Sequence, residues 1–147
     1  MGDLLAVYGT LMDGLAPAAA PVLDGRVERL GPCRIPGRLY DCGPYPALSP
    51  EPYGPGVRGE LLRLRDPALW AELDEYEGCD PCDEAGSLFV RRRVLLLEPR
   101  LEAWVYHGGR VRRIAAVPSG DWRAHRARGT GNRRGPRGSP ERRTPGE

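Results

Sequence analysis

At 147 residues the chain suits one domain with a core of its own, and no apolar run approaches the roughly 18 residues that a membrane-spanning helix needs. The net charge of +2 hides an asymmetry, because residues 121–147 carry eight arginines against three acids and residues 1–120 fourteen against seventeen. All 22 basic residues are arginine, which, beside abundant alanine, glycine and proline, reads as GC-rich codon usage rather than a demand for guanidinium chemistry.

The opening "MGDLL" has neither a cationic n-region nor an apolar h-region, so a cytoplasmic location is expected. Leu4–Tyr8 then reads as a strand that Gly9 and Thr10 stop abruptly. Residues 31–59 hold seven prolines, which exclude a long helix and leave short extended pieces joined by turns. Within and just after them, "GRLYDCG" and "VRGELLRL" are predicted strands.

The clear helix is "DPALWAELDEYEG". Asp66 suits its N-terminal cap, Pro67 the first helical position, and Gly78 the left-handed residue just past the end. Further on, "FVRRRVLLLE", "EAWVYH" and "RVRRIAAV" are predicted strands, the last two joined by a hairpin at Gly108–Gly109. Beyond Trp122 apolar periodicity vanishes. The reading is an α+β domain over residues 1–122, with a curved, mixed, barrel-like sheet and one main helix, followed by an Arg/Gly/Pro-rich tail over 123–147 expected to be disordered.

One carboxylate falls in an expensive place. On a wheel of ~100° per residue with Leu69 at zero, Leu73 lies near ~40°, Trp70 near ~100° and Tyr76 near ~340°, which defines the apolar stripe. Glu77, near ~80°, falls inside it, Asp74 lies at its margin, and Glu75 lies opposite, in solvent. Burial and the negative end of the helix dipole both disfavour an ionised Glu77, so its pKa is expected to rise toward the range of a useful base. The competing readings are a Glu77 paired with an arginine, or one that frays outward at the helix end.

Four cysteines are present. Cys79 and Cys82 form "CDPC", which reads as a pair of incidental loop thiols ahead of a metal or redox site, since Cys33 and Cys42 have the wrong spacing for a second zinc knuckle. With only His107 and His125, a histidine-based triad or a histidine-rich metal site is hard to build.

"VYGTLM", "GRLYDCGPYPAL", "LDEYEG" and "SLFVRRRV", in that order and spacing, resemble the γ-glutamylcyclotransferase-like superfamily and its small γ-glutamylamine-type members, over residues 4 to about 122. The resemblance implies an intramolecular aminolysis. The α-amine of a γ-glutamyl compound attacks its own γ-carbonyl, giving 5-oxoproline and a free amine or amino acid. It implies Glu77 as general acid and base, and the turn Tyr8, Gly9, Thr10 and Leu11 as the loop whose backbone amides cradle an anion. Tyr45 and Tyr106 would complete the substrate site, and Phe89 stands where the family often has a tyrosine. No metal or organic cofactor is implied.

Arg92 could meet the substrate's carboxylate or could be a solvated strand arginine. The expected partner is therefore a small γ-glutamyl molecule, without membrane attachment. Nucleic-acid binding is not expected, because the basic tail lacks interleaved aromatics beyond Trp122. The alternative is a binding module that holds a carboxylate-bearing metabolite in the same pocket without chemistry. Neither the leaving amine nor an oligomeric state is specified by the sequence.

Overall fold

The apolar run Leu4–Val7 forms strand β1, and its lack of alternation has a structural cause: β1 is central and covered on both faces. The computed structural model describes residues 2–12, 23 and 25–134. β1 pairs antiparallel with β5 (Val57–Leu64) and parallel with β7 (Glu102–Gly108). β2 (Val27–Ile35) and β6 (Phe89–Leu95) flank these, giving a five-stranded order β2-β5-β1-β7-β6. A second sheet, in the order β4-β3-β8, is built from β3 (Arg38–Asp41), β4 (Pro46–Ser49) and β8 (Ala115–Ala116). β4 lies against β7. The sheet is mixed as expected, but it is not the closed barrel that a barrel-like reading would suggest.

Three differences from the sequence reading have physical reasons. β2, nine residues long, carries no amphipathic signal because it is an edge strand, exposed along most of its length and broken in register near Gly31 (φ 117°). The predicted Gly108–Gly109 hairpin does not form. The amides of Gly109 and Arg110 instead donate to the carbonyls of Leu88 and Ser87, and Ala115–Ala116 joins β3 in the second sheet. A Cβ at Gly109 would stand 2.6 Å from the Ser87 oxygen, so glycine is needed there for close approach rather than for a two-residue turn.

The third difference is the tail. Helix α2 (Trp122–Arg134) occupies a stretch predicted to be disordered. Asp121 accepts a hydrogen bond from the Ala124 amide at 3.1 Å, Trp122 is buried in the core, and the His125 imidazole meets Asp41 at 2.8 Å. These anchors are single residues without a repeat, so periodicity could not reveal them. Residues 135–147 of the expected tail lie outside the described residues.

Helix α1 (Leu69–Glu77) begins slightly later than its cap signal. Asp66 accepts from the Ala68 amide at 3.0 Å and so shapes the turn that leads in, while Arg26 joins Asp66 and Glu72 to the start of β2. Gly78, at φ 66°, closes the helix as read, with the amides of Gly78 and Cys79 donating to Glu75 and Asp74 in the paired bonds of a Schellman motif. Leu69, Trp70 and Leu73 are buried as the wheel requires. Among the described residues no helix is long and apolar enough to cross a membrane.

Trp122→Ala is expected to lower the free energy of unfolding by about 3–5 kcal/mol, the usual cost of emptying a buried tryptophan site, in a chemical denaturation measurement.

Candidate active site

The strand β1 ends in a turn because Gly9 must pass Pro46. A Cβ at Gly9 would stand 2.6 Å from Cγ and 2.8 Å from Cδ of that proline, while the residue's own φ is not in the left-handed region. The glycine therefore serves close packing of loop against loop. The turn closes with the Met12 amide donating to the Gly9 carbonyl at 2.9 Å. Among the described residues, the amides of Gly9, Thr10 and Leu11 find no acceptor in the protein. These residues line a cavity of about 390 Å³.

Across that cavity stands Glu77, the last residue of α1. Its side chain is half-buried, and among the described residues it makes no hydrogen bond and no ion pair. The arginine pairing considered from sequence is thus not formed, and the carboxyl does not fray outward. Burial pushes its pKa up to about 8. A carboxyl in that state exchanges a proton readily near neutral pH.

The cavity floor is held by two buried phenols. The Tyr8 hydroxyl donates to the Tyr106 carbonyl at 2.6 Å and accepts from the Leu48 amide at 3.0 Å. The Tyr106 hydroxyl donates to Asp74 Oδ1 at 2.6 Å. Burial raises both phenols well above their ordinary pKa, Tyr8 further through the neighbouring Glu77 charge and Tyr106 through its bond to Asp74. Both rings line the cavity, yet their hydroxyls are already engaged. Tyr45 forms one wall edge-on to Phe89, with ring centres 5.8 Å apart. The structure thus brings Tyr8, Gly9, Thr10, Leu11, Tyr45, Glu77 and Tyr106 around one cavity.

A sequence model described as gamma-glutamyl cyclotransferase, AIG2-like, matches residues 5–124, which include all of these positions. The chain belongs to that family. Its fold is similar to that of an uncharacterized protein from Pyrococcus horikoshii, with 22% identity, a TM-score of 0.63, and coverage of 87% of this chain and 96% of that one. It is also similar to an AIG2-like protein from Mus musculus, with 25% identity, a TM-score of 0.58, and coverage of 82% and 94%. A uropathogenic Escherichia coli-specific protein gives 22% identity, a TM-score of 0.65, and coverage of 86% and 97%. No curated protein matches this chain.

Within this AIG2-like cavity, several positions differ from the sequence reading. Tyr76, placed on the apolar stripe, is 43% exposed at the rim, where its hydroxyl meets Thr10 Oγ1 at 3.1 Å. Glu75, by contrast, is exposed as read, at the same rim. Arg92 is not brought to the cavity, because Glu84 of the short 3-10 turn Glu84–Gly86 holds its guanidinium through two 2.6 Å contacts. Asp74, read as marginal, is buried and clamped by Arg91, a residue that sequence reasoning passed over. The alternation of the "RRR" run put Arg91 on the same face as the buried Phe89, and that was the available signal.

Cys79 is buried and Cys82 exposed, both as free thiols in a loop that Ser87 ties to Asp80 and Asp83. Among the described residues no three His, Cys, Asp or Glu side chains gather in a metal-holding group.

Gly9→Ala is expected to displace the loop from Pro46 and lower thermal stability, and adding Pro46→Ala is expected to restore most of the loss in a melting experiment. A second expectation concerns the carboxyl. A folded pKa of about 8 against 4.5 unfolded means that the native state binds the extra proton between those values. Stability therefore falls as pH rises through that window and levels off above it. Glu77→Gln removes this dependence, so the variant should overtake the wild type by roughly 1–3 kcal/mol above pH 8, allowing for solvent that reaches the carboxyl through the cavity mouth.

Proposed function

We propose that the protein is a γ-glutamyl cyclotransferase acting on γ-glutamyl amines or γ-glutamyl amino acids, with Glu77 as general base and then general acid. The observation that carries this reading is a half-buried carboxyl that shares a cavity of about 390 Å³ with the turn Gly9–Leu11, where, among the described residues, neither the carboxyl nor the turn's amides have a protein partner. Family membership supports the same reaction class.

The reaction asks little of the protein. Nucleophile and electrophile belong to one molecule, so closing a five-membered ring needs the substrate bent and held, and effective molarity supplies much of the acceleration. Ionised Glu77 takes a proton from the α-ammonium group, because only the free amine attacks. Nitrogen then bonds to the γ-carbon and the carbonyl π electrons move to oxygen. The amides of Gly9, Thr10 and Leu11 are suited to stabilise negative charge on the substrate, including the developing oxyanion. Collapse of the intermediate breaks the bond to the leaving nitrogen, to which Glu77 returns a proton, and the ring nitrogen gives up its second proton, which the departing amine carries away as an ammonium ion. The products are 5-oxoproline and an amine.

The raised pKa sets the working range. A bound ammonium beside Glu77 favours its ionised form, so the carboxyl ionises more easily in the complex than in the free protein. Apolar walls from Val7, Leu11, Pro46 and Phe89 keep the remaining charges few. The unit responsible on this reading is the domain of residues 1–122 together with the docked start of α2.

One observation favours a second reading, a binding module without chemistry. Phe89 contributes no hydroxyl, and those of Tyr8 and Tyr106 are committed within the protein, so few side-chain donors remain for a transition state.

The two readings separate in a mass-spectrometric measurement of 5-oxoproline from γ-glutamyl-ε-lysine, γ-glutamyl alkylamines, γ-glutamyl dipeptides and glutathione. Wild-type turnover should fall by 10³-fold or more in Glu77→Gln, a loss of about 4 kcal/mol in transition-state stabilisation. The wild-type kcat/KM should rise with pH through about 8, and the corresponding limb of kcat should lie lower. Ligand binding that persists in Glu77→Gln, with no 5-oxoproline from either protein, would establish the binding module instead.

A further inference from the structure

Arg91 does not line the cavity, yet it holds the residue that stands one helical turn from Glu77. Its Nε donates to Asp74 Oδ1 and its Nη2 to Asp74 Oδ2, both at 2.9 Å, and the Tyr106 hydroxyl adds a third bond to Oδ1. The guanidinium lies 4.8 Å from the centre of the Trp70 ring and 5.2 Å from that of Trp104, with 15% of the side chain exposed. Neighbours in sequence do otherwise: Arg92 pairs with Glu84 in solvent, and Arg93 lies over the Trp104 ring and near Glu102. The clamp joins β6 to α1, and its location gives it an electrostatic consequence.

Asp74 and Glu77 are three residues apart on α1, the spacing at which helix side chains share a face. Without Arg91, Asp74 would be a buried carboxylate of like charge beside Glu77, and each would oppose ionisation of the other. Fork-to-fork pairing neutralises Asp74, and its Oδ1 accepts from the Tyr106 hydroxyl as well as from Arg91 Nε, which fixes the Tyr106 ring. We propose that Arg91 is a positioning residue for the cavity carboxyl, cancelling the charge of Asp74 and locking Tyr106 so that Glu77 faces neutral surroundings in one geometry. The inference rests on the reading of Glu77 as the base.

Around Glu77, its own helix supplies Asp74, Glu75 and Tyr76. Thr10 and Tyr8 come from the β1 turn, Tyr106 from β7, Tyr45 from the β3–β4 connection and Phe89 from β6. The phenols of Tyr8 and Tyr106 stay protonated, and Glu75 is exposed at the rim. Beyond Tyr8, Arg113 is engaged by the carbonyls of Gly108, Gly109 and Val111. Asp74 and Arg91 form the buried charged pair that is joined to the cavity through Tyr106, whose hydroxyl Asp74 holds and whose ring lines the cavity with Glu77.

Two substitutions move that balance in opposite directions. Arg91→Met leaves the Asp74 carboxylate uncancelled, and Asp74→Asn leaves the Arg91 guanidinium uncancelled. The ionisation of Glu77 is read directly by carbon-13 NMR of the glutamate carboxyls in the full chain, with the Glu77 signal assigned by its loss in Glu77→Gln. The pH profile of kcat/KM is followed in parallel. The Glu77 midpoint should rise by about one pH unit in Arg91→Met, fall by about half a unit or more in Asp74→Asn, and return close to the wild-type value in Arg91→Met/Asp74→Asn. Arg91→Lys, which keeps the charge without the fork, should hold the midpoint near the wild type while lowering kcat.

Shifts of the same sign in both single variants, or no shift in either, would overturn the proposal in favour of a purely structural clamp. If Arg91→Met fails to fold, the fall in Asp74→Asn and its reversal in the double variant decide the question. The NMR titration is independent of turnover, so a wild type that forms no 5-oxoproline would defeat the catalytic reading while the titration still tests the charge balance.

Discussion

The Tyr8 hydroxyl joins the parts of this molecule that have to agree for the cavity to exist. It donates to the Tyr106 carbonyl in β7 and accepts from the Leu48 amide in β4, so one buried oxygen joins the two sheets directly beneath the loop that follows β1. Both bonds are hidden from water, where an unmade one would leave a buried polar group unsatisfied at a cost of ~1–3 kcal/mol. Gly9 follows immediately, and its missing Cβ lets the turn settle against Pro46, at the start of β4. The position of the loop amides is therefore a consequence of how the sheets meet, not a property of the loop itself.

The opposite wall obeys a different logic. A helix gains by burying Leu69, Trp70 and Leu73, and that same rotation carries Asp74 and Glu77 inward. The two acids are then treated differently. Asp74 receives three hydrogen bonds and a guanidinium held near two indole rings, whereas Glu77 receives no protein partner among the described residues and opens to the cavity. Stability is conceded at Glu77, where burial disfavours the ionised carboxyl and, among the described residues, no hydrogen bond offsets the cost.

Some of this was legible in the residues. The apolar β1, the helix with its Gly78 stop, the stripe of Leu69, Trp70 and Leu73, and the inward Glu77 all follow from local periodicity and turn chemistry, which depend only on near neighbours in the chain. The gathering of "YGTL" and "LDEYEG" around one cavity agrees with the family resemblance carried by those motifs. Less was legible wherever a partner distant in sequence decides. β2 is an edge strand that buries only Cys33 and Ile35 near its end, too short a pattern to announce it, and the start of α2 is secured by Trp122 and by His125 on Asp41 rather than by any repeat.

By itself, then, the sequence determined the elements whose hydrophobic pattern is internal to them, and it placed one carboxylate on the wrong side of a helix. Only the tertiary structure decided what that carboxylate meets. Wheel geometry places Asp74 and Glu77 near the same buried face, but it cannot say that Arg91, seventeen residues after Asp74, reaches back to one and leaves the other alone. Alternation sets Arg92 apart, but it could not tell Arg91 from Arg93, two arginines on one face of β6 whose environments are set by the helix, the indoles and solvent around that strand. Periodicity reports which way a side chain points, whereas charge pairing depends on what other parts of the chain bring to that point.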